Sequence, residues 1–191
     1  FGGEGRERAA FHGIISAAIG NALFFMALIL IYYASQPHTF SITALTEGKL
    51  SAQTLRLFGV EMSVAPIAFG LIGVGLAFRA PIWPLHRWFI SLAEEAAPAT
   101  LVAVSSISIP VAIYVFLRLS YVLFPEMVLQ LASPIVVIGI INIVMGAICA
   151  AAQRGLRGLL AFTCVSELGL VLVGIGSVNS TALLGVVYQI M

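Results

Sequence analysis

The chain has 191 residues, of which 61% are hydrophobic and 9% charged, and its formal net charge is +1. A soluble domain carries roughly 25% charged residues, so this chain has too few to cover a water-facing surface, and its near-neutral balance offers no field for nucleic acid. The apolar residues fall in blocks approaching the ~20 that a helix needs to cross a ~30 Å hydrocarbon core. The expected class is an all-α polytopic transmembrane bundle whose first partner is the lipid bilayer.

The stretch FGGEGRER at residues 1–8 reads as a polar loop, not a signal peptide. Both ends read as cut from a longer polypeptide. The first span is expected over residues 9–33, with Tyr32 and Tyr33 at the interface. A polar connection over residues 35–58 holds Pro37, His38, Thr39, Glu47, Lys49 and Arg56. Residues 60–95 are expected to hold the second span, over about 60–79, after which the segment either breaks inside the membrane or leaves it near Arg79. An unbroken helix there would rise ~54 Å through a core of ~30 Å. Pro81 and Pro84 mark the break, since neither donates a backbone hydrogen bond and both crowd the carbonyl four residues back.

A third span is expected over residues 97–117 with Pro110 inside it, and residues 118–126 turn the chain. A fourth covers 128–152, a fifth 159–175, and a sixth begins near 181. Together they make one fragment of a single membrane domain. Arg6, Arg8, Arg87, Arg154 and Arg157 outnumber Lys49, Arg56 and Arg118 across the bilayer. Basic residues favour the cytoplasmic or matrix side, so the amino-terminal loop is expected there.

Cys149 and Cys164 lie in separate apolar segments with no partnering motif and read as buried small side chains. No metal site is expected. The informative residues are the polar ones, because a charge at mid-bilayer costs ~3 kcal/mol or more and usually faces protein or water. Arg79 has two readings: a snorkelling residue where the chain leaves the membrane, with Trp83 and Trp88 at the interface, or a charge lining a hydrated break. His86 reads as a proton relay, since imidazole titrates near neutrality, or as an interfacial histidine packed between tryptophans. Glu94 and Glu95 read as proton acceptors or as a solvated helix end near Arg87. Glu167 sits mid-span among hydroxyls, ~15 Å from Arg157 along the same helix, which favours a hydrated functional role. His12 and Glu61 fall near span ends and read as interfacial.

The run FRAPIWPLHRW at residues 78–88 resembles the F-x-K-x-P-x-x-P-L-H-x-W signature of the antiporter-like membrane subunits of respiratory complex I, of the type called M in bacteria and 4 in mitochondria. EAAP at residues 95–98 and QRGLRGLLAFTCVSELG at residues 153–169 are similar to its later motifs, as is GRERAA at residues 5–10. The motifs are in register over nearly the whole chain. The resemblance extends to the Mrp antiporter and membrane hydrogenase superfamily.

That resemblance implies a broken helix, a row of ionisable residues across the membrane, and proton movement coupled to quinone reduction within a larger complex. It favours the hydrated-break reading of Arg79. Arg79, His86, Glu94, Glu95 and Glu167 become proton-path candidates, with Pro81 and Pro84 as the helix break. The chain itself is expected to bind no cofactor; flavin, iron–sulfur and quinone chemistry would belong to partner subunits of the same assembly. The chain departs from the family at four places: Arg79 stands at the family's lysine, Pro110 at its next lysine, Glu167 at a histidine, and WFISLA at residues 88–93 at its W-L-P-D-A-H stretch. Arginine does not readily release a proton, so Arg79 is expected to act as a fixed charge on neighbouring groups. The alternatives are a Mrp-type cation/proton antiporter or carbon-uptake subunit, and a non-conducting scaffold of the same complex.

Overall fold

The computed structural model describes residues 5–35, 40–47, 54–57 and 60–191. The loop before Gly5, and Pro37, His38, Thr39 and Lys49, lie outside the described residues.

An apolar run without proline forms helix α1 (Arg6–Ala34), whose 29 residues rise ~43 Å. After a short helix α2 (Ile42–Glu47), strands β1 (Thr54–Leu57) and β2 (Val60–Ser63) form an antiparallel hairpin, with Thr54 opposite Ser63 and Leu57 opposite Val60. Residues 60–63, expected to begin the second span, are therefore strand. Helix α3 (Val64–Ala77) starts just ahead of Pro66, because proline is tolerated in the first helical turn but not in the interior.

Helix α4 (Arg87–Glu95) follows a non-helical stretch from Phe78 to His86. The next span is continuous from Pro98 to Leu123. It is built of α5 (Pro98–Ala103), a π-helical turn (Val104–Ser108) and α6 (Ile109–Leu123). The turn expected over residues 118–126 is thus confined to its end, because nothing in the apolar run before Leu123 stops the helix. Phe124 breaks it, and Pro125 opens α7 (Pro125–Gln130) at the position where its missing N–H costs nothing. Helices α8 (Ala132–Ala152), α9 (Leu156–Gly176) and α10 (Ser180–Ile190) complete the chain, the last capped by Asn179 accepting from the Thr181 N–H at 3.1 Å. Among the described residues, four helices are long and apolar enough to cross a membrane: Glu7–Ala34, Pro98–Leu123, Ala132–Ala152 and Leu156–Gly176.

Small residues set how the helices meet, as expected where lipid supplies no hydrophobic drive between them. Helices α8 and α9 touch backbone to backbone. A Cβ on Gly139 would lie 2.8 Å from the Gly169 carbonyl oxygen, and one on Gly169 would lie 2.6 Å from that of Gly139. Gly20 and Gly75 do the same for α1 and α3, at 2.7 Å and 2.9 Å. Around the second contact Ala27, Ile31, Ala68, Phe69 and Ile72 are buried, and Phe124 and Val128 close that cluster. A second cluster joins Phe89 of α4, Ile109 and Ile113 of α6, and Ala161, Leu168 and Ile175 of α9. Between α3, α6, α8 and α9 lies a cavity of about 300 Å³ lined by apolar residues, among them Phe69, Val74, Phe116, Ile135 and Leu172.

One end of the bundle is fixed by polar ties. The Glu95 carboxylate accepts from the Gly5 N–H at 3.2 Å, and Arg157 donates to the Glu94 and Ala96 carbonyls at 3.2 and 3.4 Å. Helices α1, α5 and α9 therefore start at the end where α4 finishes. Depth below that end can be counted along each helix.

Replacing Gly139 by Leu forces α8 and α9 apart. The expected outcome is a loss of about 1–3 kcal/mol or more of stability, read as a lower thermal unfolding midpoint of the purified full-length chain.

Candidate functional site

The break is framed by polar side chains from three neighbouring elements. Beyond Ala77 the α3 ladder tightens, with the N–H groups of Arg79 and Ala80 both donating to the Leu76 carbonyl. The prolines prevent it from resuming, and the Trp83–Pro84 peptide is cis. Ser16 of α1 donates its hydroxyl to the Phe78 carbonyl at 3.0 Å. Asn142 of α8 accepts from the Trp83 N–H at 3.0 Å while its amide donates to the Ile138 carbonyl at 3.1 Å. Asn142 is wholly buried. Inside hydrocarbon such groups must be satisfied by protein, and these two side chains take up groups that the interrupted helix does not.

Arg79 is half-buried in the break. Its guanidinium donates to Asn21 Oδ1 of α1 at 3.4 Å and to Ser108 Oγ, the last residue of the π-helical turn, at 3.0 Å. Both partners are neutral. The close passage at Gly20 leaves room for the Phe78 and Arg79 side chains against α1. Pro81 is buried and Pro84 exposed.

Counting along the helices gives the depth of Arg79 within the bundle. Asn21 lies sixteen residues along from Gly5, whose N–H meets the far end of α4, and that is ~24 Å of helix. Ser16, Ser108, Asn142 and Glu167, each counted from the same end, lie at roughly 15 Å. Arg79 is thus held at mid-depth with a polar layer around it, and the chain continues through α4 to reach the end of the bundle. The discontinuous helix expected near Arg79–Pro84 is present, and the chain does not leave the bundle there.

The remaining candidates occupy three places. His86 closes the break with its ring 6.2 Å from that of Phe162, edge-on, and not between the tryptophans; its Nδ1 is buried and without a hydrogen-bond partner among the described residues. Glu94 is exposed and Glu95 half-buried at the end of α4, with the ties to Gly5 and Arg157 already described. Glu167 is exposed halfway along α9, its backbone carbonyl accepting from Gln189 at 3.3 Å. It shares a cavity of about 290 Å³ with Ser105, Ser106 and Pro110. Arg79 and Glu167 are not brought together: Ser108 faces one and the start of the same π-helical turn faces the other.

Sequence reasoning missed Ser16, Asn21, Ser108 and Asn142. The available signal was an asparagine inside a long apolar run, which is expensive in lipid unless it has a partner; Asn21 and Asn142 both meet that description.

Residues 2–191 match the family described as NADH:quinone oxidoreductase/Mrp antiporter, transmembrane. NADH-quinone oxidoreductase subunit M of Mycobacterium tuberculosis is 30% identical over 176 residues, which is 91% of this chain and 31% of that one. NAD(P)H-quinone oxidoreductase chain 4 of Gloeobacter violaceus is 26% identical over the full chain and 34% of its own length. This chain therefore spans about a third of the curated relatives it matches. The same fold occurs in respiratory complex I from Thermus thermophilus with bound NADH, with a TM-score of 0.84, 24% identity and coverage of 99% of this chain and 38% of that one. It occurs also in the Mrp complex from Dietzia sp., with a TM-score of 0.81, 22% identity and coverage of 96% and 32%.

Replacing Asn142 by Leu leaves the Trp83 N–H without its acceptor in a buried site, at a cost of about 1–3 kcal/mol. Hydrogen–deuterium exchange on the full-length chain should speed up in peptides covering residues 82–86 and stay unchanged in α1.

Proposed function

The chain belongs to the NADH:quinone oxidoreductase/Mrp antiporter membrane family, and on that footing we propose that it is part of a proton-translocating subunit of an NADH-quinone oxidoreductase, coupling quinone reduction to proton movement. The carrying observation is the cation held at mid-depth in a helix break, with neutral acceptors from α1 and the π-helical turn as its polar partners. The whole chain serves as one unit of the antiporter-like domain. Its partners are the other membrane subunits of such an assembly, and flavin, iron–sulfur and quinone chemistry belongs to those partners.

In this reading Arg79 keeps its proton and supplies a fixed positive potential. A carboxylate or imidazole within reach of that potential changes its proton occupancy as the local field changes. His86 lies at the end of the break toward α4, and Glu94 and Glu95 at the end of the bundle. These three lead from the break to the aqueous side. Glu167 is a second proton-bearing group at mid-depth on α9. The end carrying Arg8, Arg154 and Arg157 faces the cytoplasm or matrix, in keeping with the distribution of basic residues.

The scaffold alternative draws on Pro110, which carries no proton at a lysine position of the family. A measurement separates the two. The complex carrying the full-length subunit is reconstituted in liposomes and supplied with NADH and quinone. Arg79→Ala should remove most of the proton uptake per NADH that this subunit contributes. Arg79→Lys should retain most of it, and Glu167→Gln should reduce it while electron transfer to quinone persists. Pumping unchanged in both Arg79→Ala and Glu167→Gln leaves the scaffold reading in its place.

A further inference from the structure

Pro110 carries no proton, yet it stands two residues from the hydroxyl that meets Arg79. It is the second residue of α6 and lies inside the continuous span Pro98–Leu123. A proline there gives no N–H to the carbonyl four residues back, that of Ser106, and its ring crowds that oxygen. At Pro81 and Pro84 the ladder of α3 stops; at Pro110 it widens and goes on. The Ile109 N–H reaches back five residues to the Val104 carbonyl, closing the π-helical turn immediately before the proline. The other three spans give the contrast. Helices α1 and α9 hold no proline, α8 holds Pro134 only in its first turn, and all three are α-helical throughout.

The widened turn decides where its serines point. On an α-helix, residues three apart lie about 60° apart around the axis, so Ser105 and Ser108 would be neighbours on one face. A turn that closes over five residues and not four opens that angle. Ser105 and Ser106 line the cavity beside Glu167, together with Pro110. Ser105 donates its hydroxyl to the Val102 carbonyl of its own helix at 3.2 Å. Ser108 is turned the other way, and its Oγ accepts from the Arg79 guanidinium at 3.0 Å. That is the shorter of the two bonds holding Arg79, since the one to Asn21 is 3.4 Å.

We infer that Pro110 is a positioning residue for Arg79, acting through Ser108. By imposing the π-helical turn it holds the Ser108 hydroxyl against the guanidinium and apart from the Glu167 cavity. The inference rests on the reading of Arg79 as the fixed charge of the transport site. It gives Pro110 a part in that site that needs no proton. The register of one turn then sets both the solvation of Arg79 and the serine lining beside Glu167.

The test uses the complex carrying the full-length subunit. Pro110→Ala restores the N–H and removes the ring, so the ladder over residues 104–110 should return to α-helix. An electron cryomicroscopy structure of that variant should show Ser108 Oγ beyond hydrogen-bonding distance of Arg79. A π-helical turn still in place, with the contact intact, overturns the inference. Proton uptake per NADH in liposomes supplies a second readout, whose pattern loosened packing alone would not produce. Ser108→Ala should remove part of the uptake that Arg79→Ala removes, and Ser108→Thr should retain it. Pro110→Ala should remove the same part, and the double variant no more than either alone. Losses that add in the double variant overturn the route through Ser108. Pro110→Leu restores the same N–H and decides the matter if Pro110→Ala does not assemble. If Arg79→Ala leaves uptake unchanged, the proton reading falls, and the fate of the Ser108 contact in Pro110→Ala still decides the positioning.

Discussion

A backbone interrupted inside hydrocarbon must find its missing hydrogen bonds in neighbouring helices, and this requirement organises the middle of the bundle. Pro81 and Pro84 stop the α3 ladder, and Ser16 and Asn142 come from two different helices to meet the Phe78 carbonyl and the Trp83 N–H. Each of those side chains is useful only because its own helix passes close. Gly20 and Gly75 allow α1 to lie against α3 just before the break, and Gly139 and Gly169 seat α8 firmly on α9, so that Asn142 is carried by a rigid pair. The small residues and the polar ones are two parts of one arrangement.

The same constraint explains why a guanidinium is tolerated at that depth. Arg79 is not paired with a carboxylate among the described residues. It is solvated by the oxygens of Asn21 and Ser108, which replace part of a hydration shell. Neutral acceptors stabilise the charge without cancelling its field. Lysine, a compact and more strongly hydrated point charge, would gain less from two acceptors set apart on different helices than the forked guanidinium does. Arg79 is thus accommodated by the fork that its planar head provides.

Much of this architecture could be read from the residues, for identifiable reasons. The spans follow from blocks of apolar residues, and the break follows from two prolines inside a segment too long for the bilayer. Arg79 stood out because charge in lipid is expensive. Boundaries were less legible where the deciding interaction was not local. Val60–Ser63 looked like the start of a helix and is the second strand of a hairpin, since its partner strand precedes it and Pro66 fixes the true start. The turn expected at residues 118–126 is one residue, Phe124, because polarity at Arg118 marks a membrane end without ending a helix. The acceptors around the break were hidden for a different reason. Serine is common enough in membrane helices that only the packing tells which one reaches Arg79, and an asparagine in an apolar run announces a partner without saying which. His86 shows the same limit, since its neighbour is Phe162, 76 residues further on.

A membrane that stores an electrochemical gradient is only as good as its resistance to leakage. The apolar cavity between α3, α6, α8 and α9 has room for several molecules of water yet offers them almost no hydrogen-bonding partner. A chain of waters, the usual conductor for a hopping proton, finds little there to hold it. In the middle of the bundle, polar partners gather instead in the band of Ser16, Asn21, Ser108 and Asn142, where side-chain oxygens stand in for solvent.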